Sequence, residues 1–124
     1  MHSKYLIIGS SHAALEAATA IRLHDSDGAL TLLTRDARMP YSPTILPYVV
    51  SGRSRPDRVA LRDEAWLREN PVTFVPAATV VAVEPAQSRL RLQSGEVWTY
   101  ERLLIATGAT PAMPPVRGLA DLPR

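Results

Sequence analysis

The order of apolar and polar positions divides the chain into a short series of elements. Residues 5–9, Tyr-Leu-Ile-Ile-Gly, are an apolar run closed by glycine, the pattern of a buried strand. Ala13, Ala14, Ala17, Ala18 and Ile21 then recur at helical spacing and leave Glu16 and Arg22 for the outer face. Ser10 or Ser11 stands where an N-cap belongs. The cluster Asp25-Ser26-Asp27-Gly28 reads as a turn, and 29–34 as a second strand. Strand, helix and strand within about thirty residues make a βαβ unit with an expected right-handed crossover.

The pattern then changes. Pro40, Pro43 and Pro47 crowd residues 39–47, which predicts an ordered loop rather than the interior of an element. Residues 63–70 can form a short helix carrying Trp66 and Leu67. Strands are predicted at 72–75, 79–84, 89–92 and 97–100, with turns at Glu84-Pro85 and Ser94-Gly95 joining the last three as an antiparallel meander. Residues 103–106, Leu-Leu-Ile-Ala, read as apolar on both faces and are expected to return to the parallel sheet. The expected class is α/β, a Rossmann-like domain combining a parallel sheet with a β-meander. Trp66, Trp98 and Tyr100 are expected to serve packing.

Composition narrows the chemistry. The 124 residues are 46% hydrophobic and 21% charged, an ordinary globular balance that suits one domain. A net charge of +2, with basic residues scattered along the chain, gives no case for nucleic acid. No apolar run approaches the ~18 residues of a membrane span. The first residues enter a strand without a leader pattern, so a cytoplasmic location is the expectation. There is no cysteine, which removes disulfide, thiolate-metal and thiol redox chemistry from these residues. His2, His12 and His24 are too dispersed to suggest a zinc site. Redox chemistry here would need a bound cofactor.

One stretch offers a place for it. The dinucleotide fingerprint G-x-G-x-x-G/A between strand and helix is met here by Gly9-Ser10-Ser11-His12-Ala13-Ala14. Gly9 permits the tight turn, and Ala14 supplies the small residue for helix–strand packing. Ser11 replaces the second glycine, where backbone approaches pyrophosphate, so binding is expected to be weakened rather than excluded. Amides at the helix N-terminus favour an anion in either case. A structural strand–turn–helix with small packing residues would look the same. At the end of the second strand, Thr34 or Asp36 is placed to take a ribose contact and Arg35 to lie against adenine; solvated loop charges are the alternative for Arg35 and Asp36.

These segments together resemble FAD-dependent pyridine nucleotide-disulphide oxidoreductases over nearly the whole chain. GSSHAALEAA is similar to the family's FAD fingerprint, and TRDARMPYSPTILPYVVSG to the flavin-side loop of its ferredoxin, rubredoxin and nitrite reductase branch. The strand at 79–84 resembles one in which a valine, here Val80, meets adenine through its backbone. Tyr100-Glu101-Arg102-Leu103-Leu104-Ile105-Ala106-Thr107-Gly108 is similar to the family's second fingerprint, which implies that Ala106, Thr107 and Gly108 close the FAD site. GSSHAALEAA with PYSPTILPYVVSG also looks like the FAD subunits of anaerobic 2-oxoacid dehydrogenases of the phenylglyoxylate dehydrogenase kind.

Departures from the family pattern narrow the branch. The position of the reactive cysteine of NADH peroxidases and oxidases falls near Thr44, whose hydroxyl cannot act as a flavin-reactive thiolate. Pro43 stands where electron-transfer reductases place an arginine or lysine, so Arg35, Arg38 or Arg53 would have to compensate. The resemblance implies a continuation into an NAD(P)-binding domain. Residues 1–110 are accordingly expected to be the N-terminal part of an incomplete FAD-binding domain, and 111–124 a proline-rich linker. The implied function is electron transfer between NAD(P)H and an iron-sulfur protein or partner subunit through FAD. A structural or assembly subunit that has lost FAD is the alternative, motivated by Ser11, Thr34 and Pro43. An NAD-binding domain would explain the βαβ unit but not the meander. His12 has two readings: a functional one, in which it bonds the cofactor or lines its substrate face and carries a proton as the flavin cycles, and a positioning one, favoured because the partner cysteine is missing, in which its imidazole packs against the loop at 41–44.

Overall fold

In the computed structural model, which describes residues 1–110, 112 and 114–118, strand β1 (His2–Ile8) leads through helix α1 (His12–His24) to β2 (Leu30–Leu33). Helix α2 (Leu46–Val50) and helix α3 (Glu64–Glu69) precede β3 (Val72–Val75), and β4 (Val80–Glu84), β5 (Arg89–Leu92) and β6 (Val97–Ile105) follow. The six strands form one mixed sheet in the order β3-β2-β1-β6-β5-β4. β1 pairs in parallel with β2 and with β6, β2 with β3, while β4, β5 and β6 run antiparallel.

Two cores lie on this sheet. Ala14, Leu15 and Ala18 of α1 pack on Ile7, Leu30, Leu32 and Val72. The alanines let the helix axis come close to the sheet, which is the packing their spacing foretells. On the other side Leu6, Ile8 and Leu33 meet Leu90, Leu92, Trp98 and Tyr100 of the meander. Trp98 and Tyr100 are core residues, as expected, and Trp66 lies partly buried beneath the Arg62 guanidinium.

Several expectations need correction. The strand expected at 97–100 and the return strand at 103–106 are a single nine-residue strand, β6. Glu101 and Arg102 read as an interruption, but both are exposed while the backbone continues. The upper part of β6 is not covered on both faces, since Leu104 and Ile105 are 39% and 60% exposed. The loop at 39–47 contains a 3-10 turn, Pro43–Ile45, and runs into α2. Pro43 and Pro47 each sit within the first two positions, where a missing N–H costs nothing. Glu84-Pro85 likewise opens a 3-10 turn, Pro85–Gln87, closed by Ser88 at φ 49°. Of the expected linker, 111, 113 and 119–124 lie outside the described residues, and 114–118 are exposed. No helix among the described residues is long and apolar enough to cross a membrane.

Arg22, expected on the outer face of α1, turns inward instead. Its guanidinium donates to the carbonyls of Asn70 (2.8 Å), Asp25 (2.8 Å), Gly28 (2.9 Å) and Pro71 (2.7 Å). It thereby ties the C-terminal end of α1, the turn before β2 and the start of β3 at one point. Beside it the Asp25 carboxylate accepts from Lys4 (2.7 Å), Tyr5 (3.0 Å) and the Gly28 N–H (2.7 Å). Lys4, then the Gly28 N–H and Tyr5, hold this carboxyl well below the usual carboxylate range.

Arg22→Ala is expected to cost about 2–3 kcal/mol in thermal unfolding of the complete polypeptide, and Arg22→Lys to recover less than half of it, because an ammonium cannot fork between four carbonyls. For Asp25 the folded state binds its proton more weakly than the unfolded chain. Its stabilisation is full above the unfolded value of about 3.9 and disappears as pH falls through the lower folded value. Asp25→Asn is expected to flatten that acid limb of the melting-temperature profile while lowering stability at neutral pH.

Candidate functional site

The carboxyl ends of β1, β2 and β6 converge on one glycine. The Gly9 N–H donates to Leu33 O at 2.8 Å, and the Ala106 N–H donates to Ile8 O at 2.8 Å. Gly9 has φ +131°, and a Cβ built there would stand 2.2 Å from the Ala106 carbonyl oxygen. Both the backbone angle and the contact require glycine. The chain leaves β1 through α1 toward β2, while β6 lies on the opposite flank of β1. Such a reversal opens a crevice at the strand carboxyl ends, the usual ligand position in sheets of this kind.

Into that crevice points the start of α1. Ser11 is the N-cap residue, and its side chain makes no capping bond. Its φ −100° and ψ −163° are open to any residue, so serine replaces the fingerprint's second glycine without backbone strain. The first helical bond runs from Leu15 N–H to Ser11 O at 3.0 Å. The N–H groups of His12, Ala13 and Ala14 therefore have no partner among the described residues. Three unpaired donors at the positive end of a thirteen-residue helix dipole suit an anion. Ala14, fully buried, has its expected packing role.

Thr34 behaves differently from a free ribose ligand. It is 6% exposed, and its hydroxyl accepts from Ser10 (3.1 Å) and from the Asp36 N–H (3.3 Å). Ser10 therefore caps nothing and ties the glycine turn to the end of β2. The Thr34 carbonyl accepts from Ala78 N–H at 2.7 Å. Asp36 accepts from the Arg38 N–H at 3.0 Å and faces Tyr41, whose phenol is pushed up by burial and then by this carboxylate. Arg35 is exposed.

The imidazole of His12 reaches the proline-rich loop. Its Nε2 lies 2.9 Å from Ser42 Oγ, which in turn lies 2.7 Å from Thr44 Oγ1. Positioning against 41–44 was one of the two readings of His12 from sequence, but Ser42 itself was not singled out. Its position before Pro43, as N-cap of the 3-10 turn, was the available signal.

The remaining residues spread outward from this point. Thr107 and Gly108 are exposed, and Gly108 adopts φ +68° with no atom within 4 Å of a Cβ built there. Val80 packs on the meander-side core beside a register shift between Val80 and Ala82. The segment preceding it, Val75 to Thr79, lines an open cleft of about 380 Å³ together with Leu92, Gln93, Ser94 and Glu96. Gly9, Ser11, His12, Ala13, Ala14 and Ala106 are thus gathered at one turn, with Thr34 joined through Ser10, while Val80 packs on the meander-side core and the Arg35 side chain is exposed. Among the described residues no group of three or more His, Asp or Glu could hold a metal ion.

Comparison with known proteins gives a consistent result. The pyridine nucleotide-disulphide oxidoreductase family profile matches residues 3–123. The chain is 53% identical over 118 residues to the NADH-dependent phenylglyoxylate dehydrogenase subunit epsilon of Aromatoleum evansii, covering 95% of this chain and 28% of that protein. It is 31% identical over 119 residues to an NADH oxidase of Methanocaldococcus jannaschii, covering 91% of this chain and 27% of that protein. The structure of an NAD-dependent persulfide reductase from A. fulgidus aligns with a TM-score of 0.84 at 27% identity, covering 96% of this chain and 23% of that one. The chain thus spans 23–28% of the length of these proteins.

The two fingerprint glycines are expected to differ in what they tolerate. Gly9→Ala combines the unfavourable φ with displacement of β6, costing roughly 3 kcal/mol. Gly108→Ala meets only the backbone term, about 1 kcal/mol. Paired thermal melts of the two variants measure the difference, and equal losses would remove the steric role assigned to Ala106.

Proposed function

The chain belongs to the pyridine nucleotide-disulphide oxidoreductase family, and from this we propose that it is the FAD-binding part of an NAD(P)H-linked flavoprotein oxidoreductase. In this reading the complete protein passes electrons between nicotinamide and an iron-sulfur protein or partner subunit. The observation that carries the proposal is the glycine turn closed against Ala106, with three unpaired N–H groups above it. The names of two relatives, an NADH-dependent dehydrogenase subunit and an NADH oxidase, support the nicotinamide link and a multisubunit setting.

The residues present fit the FAD pyrophosphate. The N–H groups of His12, Ala13 and Ala14 would receive it, and the Ser11 hydroxyl, free of any capping bond, is available to it. Ala106, Thr107 and Gly108 would close the opposite side, while the Val80 backbone and Arg35 would serve the adenosine end. Thr34 would act by holding Ser10 and the 34–36 segment in place rather than by a ribose bond of its own. When bound, FAD accepts a hydride and releases electrons singly, chemistry that no side chain in this segment supplies. The role of these residues is to bind the cofactor and orient it. The nicotinamide would be held by a domain outside this chain. With no cysteine here, the segment contributes no thiol to stand beside the flavin.

The complete polypeptide is expected to purify yellow, with noncovalent FAD released on denaturation. Gly9→Val is expected to abolish flavin occupancy; wild-type occupancy in that variant would overturn the assignment of the turn. Stepwise dithionite reduction is expected to show no thiol-to-flavin charge-transfer band arising from this segment. If one persists after every cysteine elsewhere in the protein is replaced, the electron-transfer reading fails.

A further inference from the structure

The hydroxyls of Ser42 and Thr44 and the imidazole of His12 form a chain that neither packing nor the fingerprint explains. Ser42 is buried, 8% exposed, and its hydroxyl finds its partners within the protein. It is fixed in place by its N–H bond to Val59 O (3.3 Å) and by the Ile45 N–H bond to its own carbonyl (3.3 Å). One hydroxyl proton must serve two neighbours, Nε2 at 2.9 Å and Thr44 Oγ1 at 2.7 Å. The proton order can therefore run in two directions. Either Thr44 donates to Ser42 and Ser42 to Nε2, or Nε2–H donates to Ser42 and Ser42 to Thr44.

We propose that Ser42 is a positioning residue that fixes His12 as the Nδ1–H tautomer, making the imidazole a fourth donor for a diphosphate held by the amides of His12, Ala13 and Ala14. The choice of direction follows from charge. His12 is the first residue of α1, and its Nδ1 has no partner among the described residues. With Nε2 protonated, an Nδ1 lone pair would stand beside the anion that three N–H groups attract. With Ser42 donating to Nε2, the proton sits on Nδ1 and the lone pair is turned to the loop. The nitrogen that carries the proton is set by the bond the other nitrogen makes. Thr44, exposed at the end of the chain, donates inward and accepts from water, so each bond polarises the next. Thr44 thus has a use as the outer hydroxyl of a donor chain. The charge argument needs an anion at this turn, and its identity as a diphosphate rests on the FAD reading above.

The test is a nitrogen NMR spectrum of the complete polypeptide with labelled histidine, recorded at about pH 8, above the ordinary imidazole titration. His12 is expected to show a protonated Nδ1 and an unprotonated Nε2, before and after addition of FAD. Ser42→Ala is expected to shift the ring toward Nε2–H, and Ser42→Thr, which keeps the hydroxyl, to restore the wild-type signature. FAD affinity is expected to fall about two- to tenfold in Ser42→Ala, with little further loss on adding His12→Gln, because the two act as one unit. Should Ser42→Ala not fold, the exposed Thr44→Val variant removes the outer donor and is expected to shift the ring in the same direction. An Nε2–H tautomer in the wild-type protein, or a tautomer unmoved by either variant, overturns the inference. A protein that binds no FAD overturns the function proposed above, whereas bound FAD beside an Nε2–H ring overturns this inference alone.

Discussion

The approach of Gly9 to the Ala106 carbonyl is the constraint on which the site depends. It holds the ends of β1 and β6 so close that no side chain fits between them. This closeness forces glycine at the turn, and the turn in turn sets where α1 begins. Because the helix starts immediately after it without a side-chain cap, three N–H groups are left without partners. Electropositive character arises here from backbone geometry, not from a lysine or arginine.

The two ends of the parallel sheet are handled in opposite ways. At the amino ends, Arg22 and Asp25 use their hydrogen-bonding capacity on carbonyls, N–H groups and the Lys4 ammonium. At the carboxyl ends, donors are left open at the start of α1, and hydroxyl bonds from Ser10 to Thr34 and between Ser42 and His12 join the neighbouring loops to the turn. The amino ends are closed by side-chain bonds, whereas the carboxyl ends keep three backbone donors open. Unsatisfied backbone groups would be a liability in a folded protein without something to meet them.

Much of this was legible in the residue order, and the misses have physical causes. The βαβ unit, the meander and the glycine turn all announce themselves through periodicity and turn chemistry. The continuity of β6 did not, because Glu101 and Arg102 look like a break although a strand tolerates them on exposed positions. The prolines at 43 and 47 suggested a loop because proline breaks helix interiors, whereas here they begin helical turns. Arg22 fell on the polar side of the helical pattern, yet four carbonyls lying close together drew its long side chain inward. The candidate residues of the glycine turn came together as read, while Thr34 proved to have a buried hydroxyl already engaged. Ser42 was hidden because its importance lies across thirty residues of sequence, where spacing carries no signal.

The place of β6 beside β1 also governs how the molecule comes into being. His2 pairs with Thr99 and Ile8 with Ile105, so the strand nearest the beginning of the chain is completed by one that is synthesised almost a hundred residues later. Closing so long a loop carries an entropic cost that local pairing does not, and contacts of this span tend to form slowly. A nascent chain can build the first βαβ unit early, yet it has no wall opposite Gly9 until β6 arrives. The crevice at the strand carboxyl ends is therefore a product of global closure, complete only once β6 has joined β1.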